Sequence, residues 1–220
     1  MVELDRNEIA VLRDKINDHC IYRLPAKSKE LPAMNGAGFY TWQFYLRAAL
    51  LDARSLRTIC ADFWQRYAAA YEAEPFQIAG VESAAVPMIT ALVCSAAERG
   101  ITLNAFTIRK DRKEYGRRNL IEGKPNDLPV LFIDDLTSPQ HNAFWHAVHA
   151  ISLHGMTLAD DAYVLVRKQE SQVSPYIATS IGRVKVQSLF TLDDFALELD
   201  DYHAEKHAAV VAMAGRALAA

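Results

Sequence analysis

Two adjacent carboxylates follow a short apolar run, at a position where they could bind a ligand. The run PVLFI, residues 129–133, is followed directly by Asp134 and Asp135. Such a run predicts a buried strand, so the two acidic residues are expected where this strand leaves the core. Paired carboxylates there can hold a hydrated Mg²⁺ or accept hydrogen bonds from the two hydroxyls of a ribose. The simpler alternative is a solvated acidic pair that caps the following helix.

A dense run of positive charge follows another predicted strand. Between Arg109 and Arg118 the sequence has six basic residues in ten positions, together with Asp111 and Glu114. Flexible basic segments of this kind can close over an anionic ligand and add charge-assisted contacts when they are shut. The alternative is an ordinary solvated loop. Its place between two core strands, close to the carboxylate pair, favours a ligand-binding role.

Strands and helices must position these residues, and the sequence predicts an alternation of the two. Helices are predicted over residues 1–20, 56–67, 86–100 and 141–155 and from about Thr191, and strands over residues 76–80, 101–108, 129–133, 158–168 and 182–190. This rhythm is typical of an α/β fold with a mostly parallel sheet flanked by helices. Ligands of such sheets lie outside the carboxyl ends of the strands. Gly80, Arg109 and Asp134 each come at or just after a predicted strand end.

The bulk composition limits the class of protein. A chain of 220 residues that is 51% hydrophobic can form one compact domain. A net charge of −3 argues against sequence-independent binding of nucleic acid. The three cysteines form no CxxC motif, which indicates a reducing compartment. Since the N-terminus lacks the apolar region of a signal peptide and no run approaches the ~20 residues of a membrane span, we expect a cytoplasmic protein without membrane contact.

Several motifs, taken in order, resemble those of the type I phosphoribosyltransferases, and of orotate phosphoribosyltransferase in particular. The stretch from Arg109 to Gly116 is similar to the family's mobile basic loop, and VLFIDDL resembles the opening of its phosphoribosyl pyrophosphate motif. NGAGFY, VLVRKQES and VKVQSLFTLDDF resemble further segments of the family. The resemblance implies a single domain over residues 1–220. Its core would cover about residues 46–190, and a small hood would comprise about residues 1–45 and part of the C-terminal region.

The resemblance also implies an activity, which is the transfer of phosphoribosyl from Mg²⁺-bound phosphoribosyl pyrophosphate to orotate or a related base. This reaction belongs to pyrimidine biosynthesis and nucleotide metabolism. Because the family's basic loop is partly supplied by the neighbouring subunit, a homodimer is implied as well. By the same resemblance Asp134 and Asp135 would bind the ribose hydroxyls and, through them or through water, Mg²⁺. Lys113 would be the lysine of the closing loop, and Arg109 and Lys110 would hold the pyrophosphate.

The sequence departs from the family at positions that should contact ligand. The family cradles the 5′-phosphate with glycine and threonine after the acidic pair, whereas residues 137–142 read TSPQHN and contain Pro139, which has no N–H. Side chains of Ser138, Gln140 and Asn142 remain as possible phosphate donors. Lys168 stands where an arginine would clamp the orotate carboxylate, and a lysine has no bidentate fork.

The loop that binds pyrophosphate in the family is altered too. It carries a lysine there, but GVESAAVP has Ala84 and Ala85 at those places, and Tyr115 replaces a histidine of the basic loop. A fold that is kept while its site changes indicates altered specificity or lost catalysis. The alternative to the enzyme is therefore a non-catalytic relative that binds a nucleotide, a sugar phosphate or a partner protein.

Overall fold

The computed structural model describes residues 5–23, 33–35, 38–40, 42–110, 119–137, 142–179 and 182–197, with only the backbone for 33–35, 38–40 and 142. Of the predicted site residues, Lys113, Ser138, Gln140 and the side chain of Asn142 lie outside this description. Asp134, Asp135, Arg109, Lys110 and Lys168 lie within it.

The N-terminal part combines helices with short strands. Its elements are α1 (Arg6–His19), β1 (Ile21–Arg23), β2 (Ala33–Asn35), β3 (Gly38–Tyr40), β4 (Trp42–Phe44) and α2 (Arg47–Leu50). β1 pairs with β4 and β2 with β3, in both cases antiparallel. Helix α1 begins at an N-cap, where the Asp5 carboxylate accepts the Asn7 N–H at 2.8 Å. Phe44 of β4 contacts Phe195 near the end of the described chain, with ring centroids 5.5 Å apart.

A seven-stranded sheet forms the centre of the fold. The remaining elements are α3 (Ala53–Ala73), β5 (Gln77–Val81), α4 (Val86–Glu98), β6 (Ala105–Ile108), β7 (Ile121–Gly123), β8 (Val130–Thr137), α5 (Asn142–Leu153), β9 (Leu158–Arg167), β10 (Tyr176–Thr179) and β11 (Gly182–Phe190). The strand order is β10-β11-β9-β8-β5-β6-β7, with antiparallel pairing only at the two outermost strands. The prediction of a mostly parallel sheet flanked by helices is confirmed.

Alternation along the central strands divides the apolar core between the two faces of the sheet. On one face Ile78, Leu131 and Ile133 pack with the helices α1 to α4. On the other face Ala79 and Phe132 pack with α5. Successive strand residues point to opposite faces, so a continuous apolar run such as 129–133 is what a strand covered on both sides requires.

The structure differs from the sequence-based prediction at the ends of several elements. β8 runs to Thr137, because Asp134 and Leu136 continue to pair with Val164 and Val166 of β9. The short strands β7 and β10 were not expected. The predicted final helix is a four-residue 3₁₀ helix, Leu192–Phe195, although the expected capping box at Thr191 is present.

Within the described ranges, no helix is both long and apolar enough to cross a membrane.

Candidate functional site

Five parallel strands run in the same direction in the sheet, and the edge where they end collects most of the described candidate residues. The Glu82 N–H, just past β5, donates to the carbonyl of Ile108 at the end of β6, at 2.9 Å. The Lys168 N–H, just past β9, donates to the carbonyl of Thr137 at the end of β8, at 2.7 Å. Hydrogen bonds beyond the strand ends therefore fix the loops that follow β5 and β9. This edge is where ligands bind in open parallel sheets.

The acidic pair lies inside β8, two residues before its end, and not beyond it. Asp134 is only 2% exposed, and Asp135 is partly buried. The Asp135 N–H donates to Asp134 Oδ1 at 2.9 Å. The expectation that the pair lies where the strand leaves the core is therefore wrong for Asp134, since the longer strand carries it into the sheet.

Burial changes the acidity of both carboxyl groups. The pKa of Asp134 is raised well above its usual range by burial and by the negative charge of Asp135, while Lys110 opposes this rise. Burial also raises the pKa of Asp135, and a hydrogen bond with Asp134 and the positive charge of Arg47 oppose it. Two desolvated carboxyl groups with nearby cations are typical of sites that bind polar ligands.

The pair also fits the Mg²⁺ that the fold family implies. Mg²⁺ prefers hard oxygen ligands and is commonly held by one or two carboxylates together with waters and substrate phosphates. Repulsion between Asp134 and Asp135, which raises the pKa of Asp134, would be relieved by a divalent cation. In the part of the chain that the structure describes, three or more potential metal-binding side chains are nowhere grouped together. The protein would thus supply two carboxylates, and the ligand would supply the rest.

Arg109 occupies the predicted place after β6, but carboxylates of its own chain engage it. Its guanidinium lies 3.4 Å from Glu82 and 3.3 Å from Glu122. The backbone carbonyl of Arg109 contacts His146 Nε2 of α5 at 2.6 Å, which gives this histidine a packing role. The Nε atom of Arg109 is buried and has no acceptor among the described residues. An anionic ligand would have to compete with two carboxylates for this arginine.

Lys168 lies just past the end of β9 and packs against Trp42 of β4. It is 5% exposed, and its ammonium group lies 4.9 Å from the ring centroid of Trp42 in β4. Burial lowers the pKa of Lys168 to about 8. The predicted orotate-contacting lysine is thus a largely desolvated cation next to an aromatic ring.

The loop between β5 and α4, residues 82–85, lies near the strand that carries the acidic pair. A Cβ atom on Gly80 would clash with the backbone carbonyl of Ile133 in β8 and would lie 2.5 Å from Ala85 Cβ. Glycine at position 80 therefore lets this loop sit directly beside β8. The Glu82–Ser83 peptide bond is cis. Ser83 Oγ accepts a hydrogen bond of 2.7 Å from Arg47 Nη2 of α2.

Sequence reasoning missed several residues at this edge. Arg47, Glu82, Glu122 and Trp42 reach the site through tertiary packing, and no local motif marks them. From the sequence, Thr137 is recognised only as the first residue of the altered stretch 137–142. In the structure it is 1% exposed, and its hydroxyl has no hydrogen-bond partner among the described residues. A buried hydroxyl without a partner, at the end of β8, is a candidate ligand contact.

No protein-family model and no curated protein matches this sequence. Solved structures do match it. A phosphoribosyltransferase from Corynebacterium diphtheriae is 22% identical, with a TM-score of 0.63, over 87% of this chain and 99% of its own. An orotate phosphoribosyltransferase from Mycobacterium tuberculosis, in complex with phosphoribosyl pyrophosphate, is 20% identical, with a TM-score of 0.59, over 87% and 93%. An adenine phosphoribosyltransferase from Trypanosoma brucei is 15% identical, with a TM-score of 0.55, over 86% and 82%.

The chain therefore has the fold of the type I phosphoribosyltransferases, as its sequence motifs led us to expect. Within that class it is similar to orotate phosphoribosyltransferases, namely the Mycobacterium tuberculosis protein and one from Aeropyrum pernix that is 19% identical. Likeness at this level of identity shows the fold, and the chemistry has to be argued from the site itself.

Proposed function

We propose that this protein binds phosphoribosyl pyrophosphate at the carboxyl edge of its sheet and transfers phosphoribosyl to a pyrimidine or related base such as orotate. The observation that carries the proposal is the desolvated pair Asp134 and Asp135, which lies inside β8 next to Lys110 and Arg47. Carboxylates there would accept hydrogen bonds from two ribose hydroxyls, and cations on both sides suit a ligand with phosphate groups.

Several of the site residues that the structure describes then have a defined role in the transfer. Asp134 and Asp135 orient the ribose, and their negative charge stabilises the positive charge that develops on the sugar as its bond to pyrophosphate weakens. Lys110 offers an exposed cation to the departing pyrophosphate. Mg²⁺, when bound with the substrate phosphates, would neutralise further negative charge on the leaving group. Lys168, with Trp42 beside it, would contact the base.

A second candidate function is binding without catalysis, and specific contacts favour it. Glu82 and Glu122 engage Arg109, so this cation is not held ready for pyrophosphate. Ala85 is fully buried against Gly80 and offers no charge to the loop. In this case the protein would bind a nucleotide or sugar phosphate at the acidic pair without turning it over. We place the enzyme first, because the carboxylate pair, Lys110 and the basic segment suit a pyrophosphate leaving group.

Calorimetry with phosphoribosyl pyrophosphate and Mg²⁺ tests the shared binding step, and a nucleotide-formation assay with orotate, uracil and purine bases tests the transfer. Binding together with nucleotide formation supports the enzyme. Binding without any nucleotide product supports the second candidate. Absence of binding to phosphoribosyl pyrophosphate, ribose 5-phosphate and nucleoside monophosphates alike would overturn both. The implied homodimer is a separate expectation, which the molar mass from light scattering checks.

A further inference from the structure

The loop 82–85 has no lysine of its own, yet a cation from another element reaches it. Arg47 begins α2, and the other half of this short helix is anchored by Ala49 and Leu50, which are fully buried. The Arg47 side chain is exposed and points back to the loop, where its Nη2 donates to Ser83 Oγ at 2.7 Å. The backbone of Arg47 is thus held in place by the buried part of α2, while its charged end lies at the surface.

Arg47 has fewer acidic partners than Arg109, the other arginine at this edge. Arg109 has two carboxylates within 4 Å, whereas among the described residues Arg47 makes no ion pair and donates only to the neutral hydroxyl of Ser83. A hydroxyl uses one of the five N–H donors of a guanidinium and leaves its charge unpaired. The positive charge of Arg47 nevertheless acts on the site, because it opposes the rise in the pKa of Asp135.

The surroundings of Ser83 favour an anion as the ligand of Arg47. The loop leads directly into α4, whose thirteen residues give it a substantial dipole. The first N–H groups of a helix have no intrahelical acceptors, and Val86 and Met88 carry such groups, whereas Pro87 has none. The guanidinium of Arg47 and the start of α4 therefore present donors to the same loop. A planar fork of donors matches the oxygen atoms of a phosphate better than an ammonium group does.

We propose that Arg47 binds the diphosphate group of the ligand at the loop 82–85 and supplies the cation that the loop itself lacks. This inference rests on the proposed binding of phosphoribosyl pyrophosphate and extends it to a residue outside the family-like motifs. In the absence of ligand, Ser83 occupies one donor of Arg47. On binding, the remaining donors turn to the diphosphate oxygens, while the buried end of α2 stays in place.

Calorimetric titration of the protein with inorganic pyrophosphate and Mg²⁺ tests the proposal. We expect Arg47→Gln to weaken pyrophosphate binding roughly 10- to 100-fold, the range for one lost charge-assisted contact. Arg47→Lys keeps the charge without the fork and should lose less. The control is Arg57→Gln on α3, an exposed arginine that pairs with Glu8 at 4.0 Å, and it should bind as the wild type does.

Ser83→Ala separates binding from a merely structural role. It removes the hydrogen bond to Arg47 but leaves the charge, so its loss of affinity should be clearly smaller than that of Arg47→Gln. Equal losses in the two variants would mean that Arg47 only fixes the loop, and would overturn the proposal. So would unchanged binding by Arg47→Gln, or a wild type that binds phosphoribosyl pyrophosphate but not pyrophosphate.

Nucleotide formation by the wild type tests the proposed function separately. If the wild type forms nucleotide and Arg47→Gln binds pyrophosphate unchanged, the proposal for Arg47 is wrong and the transferase proposal is supported. If pyrophosphate binding depends on Arg47 but the wild type forms no nucleotide, the transferase proposal is wrong and the proposal for Arg47 is supported.

Discussion

The backbone N–H of Asp135 donates a 2.9 Å hydrogen bond to Oδ1 of Asp134, so the acidic pair is partly stabilised by its own main chain. This bond needs only an oxygen atom at position 134, which an asparagine also provides. The fold and the ligand therefore place different demands on the same side chain. The backbone needs one acceptor, whereas ribose hydroxyls or Mg²⁺ need charged carboxylate oxygens.

Asp134→Asn combined with Asp135→Asn should abolish most ligand binding and leave the fold intact. Loss of charge-assisted hydrogen bonds worth ~1.5–3 kcal/mol each predicts a dissociation constant for phosphoribosyl pyrophosphate at least roughly 100-fold higher. The melting temperature should not fall, since burial already disfavours the charged form of Asp134. Calorimetry and thermal denaturation of the same samples check both parts.

The chain contains a matched control for this double substitution. Asp160 and Asp161 form a second acidic pair near the start of β9, towards the opposite end of the sheet. Asp160→Asn with Asp161→Asn should bind phosphoribosyl pyrophosphate as the wild type does. If the substitution at 134 and 135 unfolds the protein or leaves binding unchanged, the pair is structural and the site assignment is wrong.

Lys113→Ala tests the basic segment, whose role rests on the sequence alone. If the protein is a transferase, turnover should drop strongly with little change in melting temperature, because a closing-loop lysine acts on the leaving group and not on the core. If it is a binding protein that never closes this loop, ligand affinity should stay nearly unchanged. Lys124→Ala replaces an exposed lysine near β7 and serves as the control. A large loss of stability in Lys113→Ala alone would indicate a structural basic segment instead.

The sequence predicted the parts of the fold that rest on local patterns. The apolar stripe from Leu56 to Tyr67 marked α3, and Gly100, with a φ of +72°, marked the end of α4. It did not predict β7 and β10, which have three and four residues at the sheet edges and depend on antiparallel partners. Patterns that short carry no reliable periodicity.

The candidate site was predictable in the same uneven way. Asp134 and Asp135 were found because they interrupt an apolar run within one strand. Arg47 and Ser83 are 36 positions apart in the sequence, and only tertiary packing, in which α2 contacts α1 and α3, brings them together. The pairing of Arg109 with Glu82 and Glu122 likewise depends on the register of β5, β6 and β7. Contacts between distant segments are set by tertiary structure, which a single sequence does not display.

Gly80→Ala should destabilise the fold, since the added methyl group meets the Ile133 carbonyl and Ala85. Overpacking of this kind costs about 2–3 kcal/mol in the free energy of unfolding. Gly100→Ala is the comparison, because its φ is positive but no atom lies within 4 Å of the new Cβ, and about 1 kcal/mol is expected. Urea denaturation of both variants gives the two values. A smaller loss for Gly80→Ala than for Gly100→Ala would show that β5 and β8 are not packed this closely.

Lys168→Met should change the way in which stability depends on pH. Burial lowers the pKa of Lys168 from 10.5 to about 8, so between these values the unfolded chain binds more protons than the folded one. The wild type therefore gains stability as the pH rises from about 8 to 10.5, and below about 8 the cost of burying the charge is fully present. Methionine carries no charge at any pH and fills a similar volume.

The difference in unfolding free energy between Lys168→Met and the wild type should consequently shift by about 1–3 kcal/mol in favour of the wild type between pH 7.5 and pH 10. Urea denaturation at intervals across this range measures it. Lys124→Met, at an exposed lysine that is solvated in both states, should show a nearly constant difference. A constant difference for Lys168→Met as well would mean that the Lys168 ammonium group stays hydrated, and that Trp42 does not cover it.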